Sequence, residues 1–421
     1  MNFETLANLF EKLEQTTKRL EKILILKDFY GENEKDAPFV FDIIAGNYQR
    51  KINKKTIGIS LKTIFAVLSF ISKTPQEKIE KDFNKKGDLG ILAFELAERT
   101  PQSSLSNRDL TLEEITNTFK QISAKTGKDP NKVKRELLSR LFLSSKNPVE
   151  HKFLARLLID DLRIGTSEGT LREAFTRAIF PPVAGLFENV EAGIDFNSKT
   201  IPEWIFIKQA VFGENPREIY NVFLELVENK YNLLVSFEEF AKQLEKDKSS
   251  ILKAEIVLGN PFKSMLGTRV KNVDEAYEAT GSEILADYKY DGLRVQIHND
   301  RGKVRLFSRN LDEITNQFPE VIEFIKENFS DLSFVIDSEC VGYDYIKCKY
   351  LPFQMLSKRI LTKDINEVKH INVSVKAFDL LYLNGKTLIT KPYLERRDLL
   401  EELFLNRDLV QTMHFDEKSL E

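Results

Sequence analysis

"ADYKYDGLRVQIH", residues 286–298, alternates apolar and polar positions through "LRVQIH", and just ahead of that run comes an Asp-Gly pair with Lys289 two residues before it. A period of two marks a strand with one buried face. The same period runs outward through "KVRLFSRN", "SFVIDSECVGY" and "VSVKAFDLLYL", with "NDRGK" and "LNGK" between runs as hairpin signals. Helical spacing is confined here to "QFPEVIEFIKENF" and "LERRDLLEELF". This part of the chain is therefore sheet-rich. In a strand starting near Ile284, Asp287 and Lys289 project to one face before Gly292 lets the chain bend.

Before about residue 250 the period is helical, as in Phe3, Leu6, Leu9, Phe10 and Leu13, and in "REAFTRAIF", "EWIFIKQAVF" and "IYNVFLELVENKY". Pro101, Pro130, Pro148, Pro181, Pro182, Pro202 and Pro216 punctuate these segments, where proline ends a helix or opens its first turn. The charged "LEKDKSS" stretch separates the two styles, so a helical domain over 1–250 and a sheet-rich domain over 251–421 are expected. A chain of 421 residues exceeds what one hydrophobic core usually serves.

Charged residues make up 30% of the chain and no apolar run reaches membrane-spanning length, which excludes a helical membrane protein. The start, "MNFETLANLFEKLEQTTKRL", lacks the apolar core of a secretory signal, so the cytoplasm is the expected compartment. Cys340 and Cys348 form no CxxC pair and have no histidine cluster nearby, which argues against a disulfide framework and a zinc site. The net charge of -3 conceals an asymmetry. Residues 51–180 carry 24 basic against 16 acidic side chains, a bias that suits a polyanionic partner or an ordinary solvated surface.

Lys289 itself has two readings. It is a surface lysine paired with Asp287 or Asp291, or it is a nucleophile whose amine is held neutral by desolvation or by a cationic neighbour such as Arg294 or Arg309.

The order of strings around it bears on the choice. "PFKSML" (261–266), "KYDGLRVQIH" (289–298), "LFSRN" (306–310), "VIDSECVGYD" (335–344), "PFQMLSKR" (352–359) and "FDLLYLNGKTLI" (378–389) resemble, in order and spacing, the ATP-dependent DNA ligases of archaeal replicative and eukaryotic nuclear type. "FEKLEQTTKRLEKILILKDFY" and "DLRIGTSEGTLREAF" are similar to segments of that family's DNA-binding domain.

The resemblance implies an all-α DNA-binding domain followed by an α/β nucleotidyltransferase domain, the ATP-grasp-like ligase adenylation fold, with twisted antiparallel sheet. It implies ATP and Mg2+ as cofactors. It also implies nicked double-stranded DNA as partner, with a sliding clamp as a further partner that the sequence does not itself disclose, and no membrane. Lys289 would be the nucleophile that takes AMP, and Arg294 and Arg309 would contact ribose or phosphate. Glu339, preferred to Asp337 two residues earlier on the same strand face, would bind ribose or help hold the metal. Phe378 would stack on adenine, and Asp287, where relatives usually carry Glu, would meet the adenine edge.

In the helical domain, Gly165 and Gly169 flank a helix start at which backbone N–H groups suit phosphate, with Arg163 and Arg172 beside it as phosphate contacts; the plain alternative is a helix capped by Ser167 or Thr166. Family members continue beyond "QTMHFDEKSLE" with further metal- and phosphate-binding strings and an OB-fold domain. The adenylation domain is therefore expected to be C-terminally incomplete and the chain alone a feeble ligase. A non-catalytic nick-binding fragment, and an RNA ligase or capping-type nucleotidyltransferase, remain as alternatives.

Overall fold

The computed structural model describes residues 1–47, 59–100, 109–124, 130–180, 216–265, 267–280, 283–361, 371–404 and 412–416. The chain divides into two compact units, Met1–Tyr231 with Ser236–Ile251, and Asn232–Val235 with Leu252–Glu421. Among the described residues no helix is long and apolar enough to cross a membrane.

The first unit is helical throughout its described residues. The helix Phe3–Gln15 buries Phe3, Leu6, Leu9, Phe10 and Leu13, the positions its 3.6-residue period selects. Pro130, Pro148 and Pro216 each open a helix, where the missing N–H would have no partner in any case. "EWIFIKQAVF" and the prolines at 101, 181, 182 and 202 lie outside the described residues. Long-range capping ties the unit together. Asp42, fully buried on the helix Ala37–Ile44, accepts from the Phe237 and Glu238 N–H groups at 2.8 and 3.1 Å, capping the helix Phe237–Lys246 from outside it.

A second buried carboxylate does the same and more. Asp88 caps the helix Leu89–Arg99 through the Gly90 and Ile91 N–H groups and binds the buried Arg156 guanidinium at 2.7 Å; Arg156 also reaches Glu14 at 3.0 Å. A Cβ at Gly90 would collide with the Arg156 side chain, so the glycine is what lets the arginine pass.

In the second unit β1 (Glu283–Asp287) pairs with β8 (Thr412–Asp416) in a two-stranded sheet. The larger sheet has the order β3-β2-β4-β6-β7, with β5 (Lys349–Tyr350) on β4. Its members are β2 (Leu293–Asp300), β3 (Lys303–Ser308), β4 (Ser333–Asp344), β6 (Val373–Leu383) and β7 (Lys386–Thr387), and every pairing is antiparallel. The two expected hairpins form as two-residue turns. Arg301 and Gly302, and Asn384 and Gly385, all have positive φ, the geometry whose twist matches the flanking strands.

Side chains of the larger sheet alternate as the period requires. Val295, Ile297, Phe334, Ile336 and Leu380 face a core packed against the helices Pro319–Phe329 and Tyr393–Phe404. The opposite positions, Arg294 and Gln296 on β2 and Asp337 and Glu339 on β4, are left to a second, polar surface.

Two histidines are locked neutral by burial. His151 is pushed down to about 4, and His298, between the rings of Phe262 and Phe307, to about 3. The Gly259 N–H donates to His298 Nδ1 at 3.1 Å. In the unfolded chain both take up a proton near pH 6.5, so between that value and their folded values the unfolded state binds more protons and stability falls as pH falls. Each contributes up to about 1.4 kcal/mol per pH unit in its window. The stability of His298→Phe, followed by urea unfolding, is expected to decline less steeply than the parent's between pH 6 and 4. Equal slopes would show that His298 titrates normally in the fold.

Candidate active site

The strand expected around Lys289 is interrupted. β1 ends at Asp287, and Tyr288–Gly292 forms a loop before β2 begins at Leu293. At the end of that loop Gly292 lies close on β4, where a Cβ would fall on the Cys340 carbonyl oxygen and against Val341. Glycine lets the loop lie directly on β4, and Lys289, within the loop, is not in the strand alternation with Asp287. The loop lysine is exposed and acts electrostatically on Glu339.

Glu339 is half-buried. Burial raises its carboxyl above the usual range, while the Lys289 charge, the nearby Gly292 N–H and the Arg294 charge pull it back. Its cross-strand partners are Arg294 on β2 and Lys376 on β6. Arg294 leans one pair along and grips buried Asp337, with Nε at 3.1 Å from both carboxylate oxygens and Nη2 at 2.6 Å from one. Its Nη1 donates to the Met265 carbonyl at 3.3 Å. Burial raises the Asp337 carboxyl and the guanidinium opposes that rise. The "PFKSML" segment is held on the same surface by Gln296, which donates to the Phe262 carbonyl at 2.6 Å and accepts the Phe262 N–H at 3.3 Å.

Phe378 reaches this surface through a β-bulge. Ser338 pairs with Ala377 and Asp337 with Asp379, so Phe378 is the extra residue on β6. The bulge turns its ring toward Arg294, whose guanidinium lies 5.4 Å from the ring centroid. The freed Phe378 carbonyl accepts from Tyr393 Oη at 2.9 Å and Arg397 Nη1 at 3.3 Å, and Tyr393 Oη lies 3.0 Å from Asp287 Oδ2. Lys289, Glu339, Arg294, Phe378 and Asp287 thus converge. Arg309 is exposed in the turn just after β3, whose last residue Ser308 pairs with Val295, and it has no hydrogen bond or ion pair with the described residues.

Sequence reasoning set Asp337 behind Glu339 and overlooked Gln296 and Tyr393. Asp337 holds Arg294 rather than opening to solvent. Tyr393 lies 106 residues from Asp287 on another element, and no local pattern announces it. Among the described residues no group of three or more His, Cys, Asp or Glu could hold a metal alone.

In the helical unit, Ser167 caps the helix Glu168–Ile179 through the Thr170 N–H. Gly165 has φ +58° and is pinned, with Ile164, by buried Lys22, whose Nζ donates to both carbonyls. A Cβ at Gly169 would meet Ser167 and Arg172 only at ordinary van der Waals distance. Arg163 pairs with Asp161 at 2.7 Å and Asp88 at 3.5 Å, and Arg172 with Glu228 at 2.8 Å. Both arginines are thus engaged by carboxylates that a phosphate would have to displace.

One surface of the larger sheet thus presents a lysine loop, a bulge-presented aromatic ring and an arginine–carboxylate pair. A family model for the DNA ligase N terminus matches residues 2–176, and one for the ATP dependent DNA ligase domain matches residues 264–419. The chain is 31% identical to a DNA ligase of Nanoarchaeum equitans over 96% of its own length and 64% of the relative's. It is also 31% identical to one of Thermoplasma volcanium, over 97% and 63%. The solved structure named "Pmar-Lig_PreS3" aligns with 98% of this chain and 68% of that chain, at 15% identity and TM-score 0.50, a likeness of fold. The chain belongs to the ATP-dependent DNA ligase family. It spans just under two thirds of the length of the curated relatives it matches.

Proposed function

We propose that this chain takes AMP from ATP onto Lys289 and passes it to the 5′-phosphate at a nick in duplex DNA, where a 3′-hydroxyl then displaces it and seals the strand. The observation that carries this reading is the Lys289 loop lying on β4 beside Glu339, on the surface that also presents Phe378 and Arg294. The Lys289 amine forms a P–N bond to the α-phosphorus as the bond to pyrophosphate breaks. Such transfer needs positive charge near the phosphoryl oxygens and a flat apolar contact for the base, which Arg309 and Phe378 are suited to provide. Arg294 supports the ring and orders β2 against β4 through Asp337.

Magnesium is commonly held by one or two carboxylates together with nucleotide phosphates, and Glu339 is the carboxylate on this surface that suits that mode. When bound, the ion supplies charge neutralisation at the phosphates. Arg163 and Arg172, with the amides around Gly165 and Gly169, are the proposed DNA contacts, exchanging carboxylate partners for phosphates. The same reading assigns the chain to replication, repair and recombination in the cytoplasm, with a sliding clamp as a further partner.

Incubation with ATP labelled in its α-phosphate, followed by nicked duplex, tests the reading: label should move from protein to the DNA 5′ end only when that end carries a phosphate. Label that never leaves ATP would refute it. Duplex binding by the chain should also weaken steeply with salt, with log K falling against log salt by about 0.9 for each phosphate neutralised. A salt-independent affinity would return the basic bias of residues 51–180 to ordinary solvated surface.

A further inference from the structure

On the reading that Lys289 is the nucleophile, we infer that Tyr350 of β5 is a positioning residue whose ring holds the Lys289 loop in place for attack on ATP. Tyr290, the residue after Lys289, is half-buried, and its ring meets that of Tyr350 with centroids 5.4 Å apart and planes at 65°. Edge-to-face contact of this kind is a favoured geometry for aromatic pairs. Tyr350 in turn meets Tyr343, its cross-strand partner on β4, at 5.3 Å and 64°.

The hairpin of β4 and β5 is itself fastened on both sides. The Leu351 N–H donates to the Gly342 carbonyl at 2.8 Å, and the Tyr343 N–H to the Asn372 carbonyl at 2.9 Å. The loop thus meets this hairpin twice, with Gly292 against Cys340 and Val341 and with Tyr290 against Tyr350. Lys289 adjoins the second contact. Burial, and then the Tyr350 phenol, push Tyr290 up to about 12, so that phenol adds no negative charge beside Lys289 at physiological pH.

The consequence for transfer is geometric. Lys289 is exposed on a long, flexible stem, and fixing the backbone next to it limits where its amine can go. Attack needs the nitrogen within about 3–3.5 Å of phosphorus, and a misplacement of about 1 Å can cost on the order of a hundredfold in rate. Tyr350 is 52% exposed on a two-residue strand, so its ring matters more to the loop than to the stability of the fold.

The test follows AMP transfer onto the whole chain as ATP is varied, with hydrogen exchange of the peptide covering residues 288–292 alongside. Tyr350→Ala should slow labelling at saturating ATP by about fivefold or more, the factor that one aromatic pair is worth, while the half-saturating ATP concentration changes less than about twofold. Exchange of the loop should quicken by about fivefold and exchange elsewhere in the larger sheet should stay as in the parent. Tyr350→Phe keeps the ring and should restore parental behaviour in both readouts. Lys349→Ala, a change on the same short strand that leaves the rings in place, should also match the parent.

Unchanged labelling or loop exchange in Tyr350→Ala, an equal loss in Tyr350→Phe or Lys349→Ala, or quickened exchange across the whole sheet would overturn the inference and leave Lys289 standing as the nucleophile. A parent that binds ATP and takes up no label would overturn the proposed function, and the positioning role with it.

Discussion

Lys289→Ala is expected to take up no AMP from labelled ATP, and Lys289→Arg none either. Arginine keeps the charge that Glu339 feels, but its guanidinium stays protonated and offers no lone pair to phosphorus. The pair of variants thus separates loss of a nucleophile from loss of a positive charge. The local rival is Lys376, which faces Glu339 from β6 in cross-strand register. It is half-buried in a strand, whereas Lys289 is exposed on a loop with room to follow a phosphate. Lys376→Ala should therefore still label. Both effects are read on a denaturing gel, and label persisting in Lys289→Ala but vanishing in Lys376→Ala would move the nucleophile to β6.

The second large effect is on stability. Asp88→Ala in the helical unit removes the cap of Leu89–Arg99, at about 1 kcal/mol, and strips a partner from a guanidinium that is almost wholly buried. Breaking a buried pair from one side costs about 3–5 kcal/mol, because the surviving charge remains out of water. Glu14 still reaches Arg156 at 3.0 Å, which keeps the expected total near the lower end of that range. Asp109→Ala provides the contrast. Its partner Lys146 is exposed, as is Asp109 itself, and a pair so open to water and salt contributes little, so this variant should unfold close to the parent. Urea unfolding of the two variants beside the parent measures both. A loss below about 1 kcal/mol for Asp88→Ala would show that Arg156 finds water or another acceptor when its partner goes.

The strands and hairpins were legible because their signals are local. Alternation from Leu293 to His298 and from Phe334 to Val341 fixes which side chains share a face, and Arg301-Gly302 and Asn384-Gly385 are residues that tolerate the turn's positive φ. Lys289 was legible as chemistry but not as geometry. Nothing within "DYKYDG" reveals that Gly292 rests on the Cys340 carbonyl, or that β1 pairs with β8 while β2 joins β4 in another sheet. The carboxylate partners were hidden for the same reason. Arg294 and Asp337 are 43 positions apart, and Arg172 and Glu228 are 56 apart, so sequence exposes the charge and conceals what holds it. Phe378 carried a further layer. A bulge, set by how β6 meets β4, decides whether its ring faces core or site, and alternation alone would not place it.

The central claim is that the loop lysine of the second unit is where this chain meets ATP. The most direct measurement is to incubate the whole chain with ATP and Mg2+, digest it, and locate any AMP adduct by mass spectrometry before and after mild acid. The account predicts one adduct, on Lys289, lost on acid treatment as a P–N bond would be. An adduct on another residue, an acid-stable one, or none from a chain that demonstrably binds ATP would contradict it.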